Sequence, residues 1–202
     1  MKKTHLVIVL LFSILYASSQ ESEIKKIREI YNDYNNKIEL QGEDSNPELP
    51  MKFVIQSTVT ERGVGPVART MTMYFDRTEK DDNSFTYTDK LRKLIIIEEA
   101  SFRYYTEMLF DDNEKLMFCY VHYTGFFETC SEKRFYFKND ELIRVVFNKN
   151  KDAQIIEEDE EPCNEGTRDL EKLTHEDKKL AGFIKRTAEN YKKAFQYLVD
   201  PY

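Results

Sequence analysis

The sequence predicts an α+β domain: a single antiparallel β-meander of six or seven strands, with an N-terminal helix and a long C-terminal amphipathic helix packed on it. Two observations predict this class. From residue 51 to about residue 147 the hydrophobic pattern has a period of two, and on either side of this region it has the period of a helix. Short strands joined by turns, without helical spacers, are typical of an antiparallel meander.

The first helix is predicted in the segment SEIKKIREIYNDYNNKIEL. Its apolar residues recur at alternating spacings of three and four, and they form a single stripe: Ile24, Ile27, Tyr31, Tyr34 and Ile38. Ser22 is the predicted N-cap and Gly42 the predicted stop. The loop QGEDSNPELP follows, and its two prolines oppose any continuation of the helix.

The strands are predicted from runs rich in β-branched and aromatic residues: KFVIQSTVT, ARTMTMYFD, KLIIIEE, SFRYYTEMLF, EKLMFCYVHY, EKRFYFK and ELIRVVFNK. Gly63, Gly65 and Pro66 mark the first turn. Asp111-Asp112-Asn113 and Asn139-Asp140 are predicted hairpin turns, because Asn and Asp tolerate left-handed backbone conformations.

The C-terminal helix is predicted to begin after Thr174, with Asp177 three residues on as in a capping box. One face is apolar and comprises Leu180, Ile184, Thr187, Tyr191, Phe195 and Leu198, helped by Phe183, Ala188 and Ala194. Each helix has a single apolar face, so we expect both helices to pack on the sheet.

Residues 1–19 have the pattern of a secretory signal peptide. Lys2 and Lys3 precede an apolar run, and Ala17 and Ser19 fit the cleavage site, which leaves Gln20 as the new N-terminus. The apolar run is too short to span a bilayer of about 30 Å, so no membrane span is expected after cleavage. The sequence therefore predicts a periplasmic or secreted chain in which residues 20–202 form one domain, with an acidic loop at about 150–170.

Removal of Lys2 and Lys3 changes the formal net charge from −7 to −9. This acidity disfavours binding to nucleic acid or to an anionic membrane surface. The acidic run Glu157–Glu161 does not match the spacing of a calcium loop. Zinc is disfavoured because C-x₂-C spacing is absent and histidines are few, and we expect no metal and no cofactor.

Two of the three cysteines, Cys119 and Cys130, flank a predicted hairpin turn near Thr124-Gly125. In the simplest register they lie opposite each other on one face, and a four-residue loop would place them at a close, non-hydrogen-bonded pair. An exported chain meets an oxidising environment, so a Cys119–Cys130 disulfide is one prediction. A bond that involves Cys163, or free thiols, are the alternatives.

A candidate anion site lies on the last hairpin. An odd-length loop at Asn139-Asp140 would place Phe135, Phe137, Ile143, Val145 and Phe147 on the core face, and Arg134, Tyr136 and Arg144 on the other. Two arginine forks beside a tyrosine suit a carboxylate or a phosphate. Either an external anion, or internal acids such as Glu157–Glu161 or a glutamate on a neighbouring strand, would neutralise them. We therefore expect at least one carboxylate or anion within salt-bridge reach.

The helix segment IREIYNDYN and the terminal hairpin RFYFKNDELIRV together resemble a group of uncharacterised exported proteins of Gram-negative bacteria. A strand–turn–strand of the type YYF-D-N-G-K-L-I-R recurs in that group near the end of the sheet. Tyr136-Phe137, Asn139-Asp140 and Leu142-Ile143-Arg144 match it, and Asp140 replaces the usual Gly. The resemblance implies export and an antiparallel sheet, and it implies no activity.

Three functions are compatible with these features. The first is an exported, non-catalytic interaction or ligand-binding module of the bacterial periplasm or exterior, because the chain is rich in tyrosine and phenylalanine. Its partner would be a protein or a small ligand. The second is a hydrolase-type enzyme with a non-sequential site in the concave face of the sheet. The third is an envelope-assembly or stress protein without a small ligand.

Overall fold

The computed structural model describes residues 2–40, 49–79, 87–124, 132–148 and 166–200, with side chains from residue 19 onwards. Its elements follow one another in the order α1 (Lys2–Glu39), β1 (Met51–Glu61), β2 (Gly65–Glu79), β3 (Tyr87–Glu99), β4 (Arg103–Phe110), β5 (Leu116–Thr124), β6 (Glu132–Lys138), β7 (Glu141–Asn148), β8 (Gly166–Asp169) and α2 (His175–Val199). A short 3₁₀ helix, Leu170–Lys172, precedes α2.

The eight strands form one antiparallel sheet in which every strand pairs with its neighbours in sequence. The predicted α+β class and the meander are confirmed, with one strand more than the upper estimate. β8 lies within the segment predicted as an acidic loop, and it pairs with β7 from Arg144↔Asp169 to Phe147↔Gly166. Residues 149–165, including the acidic run and Cys163, lie outside the described residues.

The tight turns follow the local chemistry. Asn139 and Asp140 both have positive φ, 49° and 66°, as a two-residue hairpin turn requires. The side chain of Asp111 accepts hydrogen bonds from the backbone N–H groups of Asn113 and Lys115, both at 2.8 Å. We call the end of the sheet with these turns its lower end, and the end where β5 stops at Thr124 its upper end.

α1 packs on one face of the sheet. Its predicted stripe is confirmed: Ile24, Ile27 and Tyr34 are buried in a cluster with Leu109, Met117, Phe118, Tyr136 and Ile143, and Tyr31 and Ile38 pack against it. The helix runs without interruption through Ser22, so the predicted N-cap there is wrong. The predicted stop at Gly42 lies outside the described residues. No described helix is long and apolar enough to cross a bilayer.

α2 packs on the opposite face, so the sheet is the middle layer of three. Ala181, Ile184, Ala188 and Phe195 are buried among side chains of β2 to β7. The capping box at the start of α2 is confirmed: Asp177 N donates to Thr174 Oγ1 at 3.1 Å, and Thr174 N donates to Asp177 Oδ2 at 2.9 Å.

The buried face of α2 differs in part from the predicted one. Leu180 and Leu198 are 38% and 43% exposed, and Phe183 is 59% exposed, whereas Ala181, which was not predicted on this face, is buried together with the predicted Ala188. Small residues allow the helix axis to approach the sheet closely. The larger Leu180 and Phe183 are thereby displaced to one flank of α2.

A β-bulge between β6 and β7 corrects the predicted faces of the last hairpin. Tyr136 is opposite Arg144 and Phe137 is opposite Leu142, which leaves Ile143 as the extra residue. Ile143 therefore packs under α1, and its predicted position on the Phe side is wrong. Leu142 takes that place beneath α2.

Cys119 is a free, fully buried thiol on the α2 face of the sheet. Its neighbour across β6 is Phe135, so the register that placed Cys130 opposite it is wrong. The connection between β5 and β6 is longer than the predicted turn, because His122 already pairs with Glu132. Cys130 itself lies outside the described residues.

Candidate functional site

The path of α2 leaves part of its face of the sheet uncovered. α2 starts beside β8, where Arg168 binds Asp177, and it ends over β2, where Phe195 contacts Phe75 with ring centroids 5.3 Å apart. On the way, Lys185 Nζ donates to the carbonyl of Asp140 at 2.5 Å, in a turn at the lower end. α2 therefore lies towards the lower end of the sheet.

One helix is too narrow to cover strands of this length. β4 has 8 residues, which corresponds to about 27 Å. A helix with its side chains is only about 10–12 Å wide. Between the upper half of the sheet and one flank of α2 there is consequently a cavity of about 580 Å³, which we call the α2 cleft.

The walls of the α2 cleft are mainly apolar. Side chains from the sheet form its floor, and the flank of α2 forms one wall; the apolar residues are Ile96, Met108, Val121, Phe135, Leu180 and Ile184. Phe183 also lines the cleft, and its exposure places it at the rim. A volume of this size is within the range of about 300–1,000 Å³ that is usual for small-molecule sites.

Polar groups lie at defined places in the α2 cleft: Tyr104, Thr106, Tyr123, Lys133, Thr187 and Tyr191. The rings of Tyr104 and Tyr123 are 4.4 Å apart and form an aromatic wall at the upper end. Burial raises the pKa of Tyr191 above its usual value, so its hydroxyl stays neutral. Arg69 and Glu98 neutralise each other, with Arg69 Nε donating to Glu98 Oε1 at 2.6 Å.

The three residues of the predicted anion site occupy one face, beneath α1, but they do not converge. Arg144 binds Asp169 and, at 2.8 Å, Glu21 of α1. Arg134 binds Glu132 at 3.2 Å, and Tyr136 is opposite Arg144 in the register. Arg144 thus has internal carboxylates on the neighbouring strand β8 and on α1, and Arg134 has one on its own strand, β6.

A second cavity of about 470 Å³ lies between α1 and the sheet, and Arg134 and Tyr136 line it together with Arg28 of α1. Arg28 Nε donates to the Tyr136 hydroxyl at 3.5 Å. Burial, together with Glu132, raises the pKa of Tyr120 in this cavity to about 12. Arg28 was missed by the sequence reasoning because it lies outside the apolar stripe of α1.

A third cavity, of about 660 Å³, lies between α1 and the lower turns. Charged side chains dominate it, and they pair with one another: Arg92 with Asp112, and Lys138 with Glu23 at 3.3 Å. Such a polar lining favours water over an apolar ligand. Compared with these two cavities, the α2 cleft combines the most apolar lining with a few polar groups, which is the usual composition of a ligand site.

The residue types that line the α2 cleft define the contacts that it can offer. Its described lining contains neither histidine nor cysteine. Within the described ranges, no group of three His, Cys, Asp or Glu side chains could hold a metal ion. The groups that are present, aliphatic and aromatic side chains, hydroxyls, one lysine and the Arg69–Glu98 ion pair, provide apolar contact and hydrogen bonds.

The α2 cleft was not predicted from the sequence, although one signal was present. Lys133 is on the same face of β6 as Phe135 and Phe137, so a lysine occupies a position at which the alternation predicts an apolar core residue. Leu180 and Phe183 on α2 were predicted as packed residues, and both are instead partly exposed beside the cleft. No protein-family model, curated protein or solved structure matches this chain, so the chemistry of the cleft carries the functional argument.

Proposed function

We propose that this chain is an exported, non-catalytic module of the bacterial periplasm or exterior that binds a small apolar or amphiphilic molecule in the α2 cleft. The observation that carries this proposal is the apolar floor of the cleft, which α2 leaves uncovered. Export is supported by residues 1–19, which have a basic N-terminal region, an apolar run and small residues at a signal-peptidase cleavage site.

Burial of apolar surface would drive binding. Each Å² of apolar surface removed from water contributes about 25 cal/mol, and a ligand in the α2 cleft would cover the side chains of Ile96, Met108 and Val121. The hydroxyls of Thr106 and Thr187 would orient polar atoms of the ligand. The described lining of the cleft lies on strands and on α2, so little ordering of loops would be needed on binding.

A cavity-filling substitution tests the proposal. Thr187→Trp places an indole in the α2 cleft, whereas Gln196→Trp places the same group on an exposed part of α2 and serves as the control. Each protein is titrated with the neutral fluorophore N-phenyl-1-naphthylamine after its fold has been checked by circular dichroism. We expect saturable 1:1 binding to the parent and to the control.

For Thr187→Trp we expect the affinity to fall by about tenfold or more, equivalent to ~1.4 kcal/mol or more. Native mass spectrometry of protein exported by its own signal segment gives a second readout. We expect a small-molecule adduct on the parent and on the Gln196→Trp control, but not on Thr187→Trp. Equal affinities of the two tryptophan variants for the fluorophore would contradict the location of the site.

A further inference from the structure

Lys133 places a positive charge at one end of the α2 cleft. It lies in β6 between Val121 of β5 and Phe147 of β7, on the face that also carries Phe135. Its side chain is half-buried and lines the cleft. Within the part of the chain that the structure describes, its ammonium group has neither a hydrogen bond nor an ion pair.

The neighbouring cations differ from Lys133 in this respect. Arg69, at the other side of the cleft, is neutralised by Glu98, and Arg134, next in the chain, points to the opposite face and binds Glu132. An ammonium group without an internal carboxylate partner remains available for a charge-assisted hydrogen bond to an anion. Lys133 is therefore suited to hold the anionic group of a ligand.

The cleft has room for an apolar chain that starts at Lys133. Its floor extends from β6 to Arg69 on β2, and four strand separations of about 4.8 Å give a span of roughly 19 Å. Val121, Met108 and Ile96, one from each intervening strand, form the apolar surface along this span. Tyr123 also lines the cleft, and a tyrosine hydroxyl can donate a hydrogen bond to an anion.

We propose that the ligand of the α2 cleft is a single-chain amphiphile with an anionic head, of which a fatty acid is the simplest example. Its carboxylate would pair with Lys133, and its chain would lie across β5, β4 and β3. This inference rests on the proposed function, because it specifies the ligand of the same cleft. It adds a specificity for charge that an apolar cleft alone would not have.

The experiment compares three probes with the same tail, dodecanoate, dodecanol and dodecyltrimethylammonium, by displacement of N-phenyl-1-naphthylamine below their micelle concentrations. The proteins are the parent chain, Lys133→Gln, Lys133→Arg and Lys52→Gln. Lys52 is an exposed lysine near the lower end of β1 and serves as the control. Thermal unfolding verifies that each variant is folded.

We expect the parent to bind dodecanoate about tenfold or more tightly than dodecanol, because the Lys133 ammonium group can donate a charge-assisted hydrogen bond to the carboxylate. The preference should disappear in Lys133→Gln and persist in Lys133→Arg and Lys52→Gln. Equal affinity of the parent for dodecanoate and dodecanol would overturn the anionic head while leaving the cleft as a site. A preference for dodecanoate that survives in Lys133→Gln would overturn the role of Lys133. Failure of the fluorophore and of all three probes to bind to the parent would instead overturn the proposed function.

Discussion

Lys93 and Glu107 form an ion pair across β3 and β4 beneath α1, and they are only 4% and 2% exposed. The hydroxyls of Tyr31 and Tyr105 donate to Glu107 Oε2 at 3.0 and 3.2 Å, and Lys93 also donates to Asn35 of α1. The pair therefore joins the sheet to α1 through a polar network in an otherwise apolar layer.

Removal of one partner should be costly. Lys93→Met leaves the Glu107 carboxylate buried without its cation, and we expect the free energy of unfolding to fall by about 3–5 kcal/mol. Adding Glu107→Gln, which keeps an acceptor for Tyr31, should recover part of this loss. Urea denaturation measures both changes. A loss below about 1 kcal/mol in the single variant would show that the pair is solvated.

Stability should depend on alkaline pH through Tyr34. Burial and the nearby Asp76 carboxylate raise its pKa above the usual value, and its hydroxyl donates to Asp76 Oδ1 at 3.2 Å. Because the folded pKa lies above the unfolded value of about 10, this contribution is complete below pH ~10 and declines as the pH rises further. The stability difference between the parent chain and Tyr34→Phe should therefore be constant below about pH 10 and shrink as the pH rises above it in urea titrations. A constant difference would contradict this explanation.

Arg144 should contribute more to stability than Arg134. The side chain of Arg144 is 12% exposed and pairs with both Asp169 and Glu21, whereas that of Arg134 is 40% exposed and pairs with Glu132. We expect Arg144→Ala to lower the free energy of unfolding by about 1–3 kcal/mol and Arg134→Ala by less than about 1 kcal/mol. The reverse order, measured by chemical denaturation, would be inconsistent with internal neutralisation of Arg144.

Cys119 should be chemically inert in the folded chain. It is fully buried, and burial raises the pKa of its thiol, so little thiolate is available. Iodoacetamide should alkylate Cys119 only after unfolding in denaturant, as peptide mapping without reduction would show. Recovery of Cys119 linked to Cys130 or Cys163 would contradict the free thiol seen here.

The sequence patterns predicted most of the sheet because each long strand carries its own alternation and each tight turn its own chemistry. β8 was missed because Gly166–Asp169 has no apolar alternation, and its pairing with β7 depends on partners distant in sequence, such as Arg144 with Asp169. The bulge at Ile143 was missed because it depends on the pairing of β6 with β7.

The α2 cleft could not be predicted from the pattern of any one element. It results from where α2 lies on the sheet, which depends on distant contacts such as that of Lys185 with Asp140 and that of Phe195 with Phe75. Amphipathicity indicated which side of α2 is apolar, but not that Leu180 and Phe183 would be displaced to a flank. The packing of α1 and α2 on opposite faces of the sheet could likewise not be predicted. It is explained by the alternation of the strands only once the buried residues under each helix are known.

The most direct test of the central claim, that the α2 cleft is a ligand site, is methyl NMR of the isotope-labelled chain during a titration with dodecanoate. The methyl groups of Ile96, Met108 and Ile184 line the cleft, and those of Ile24 and Ile143 lie under α1 and serve as internal controls. We predict saturable 1:1 shifts of the first set and unchanged signals from the second. Shifts confined to the second set, or no saturable shift in either, would contradict the claim.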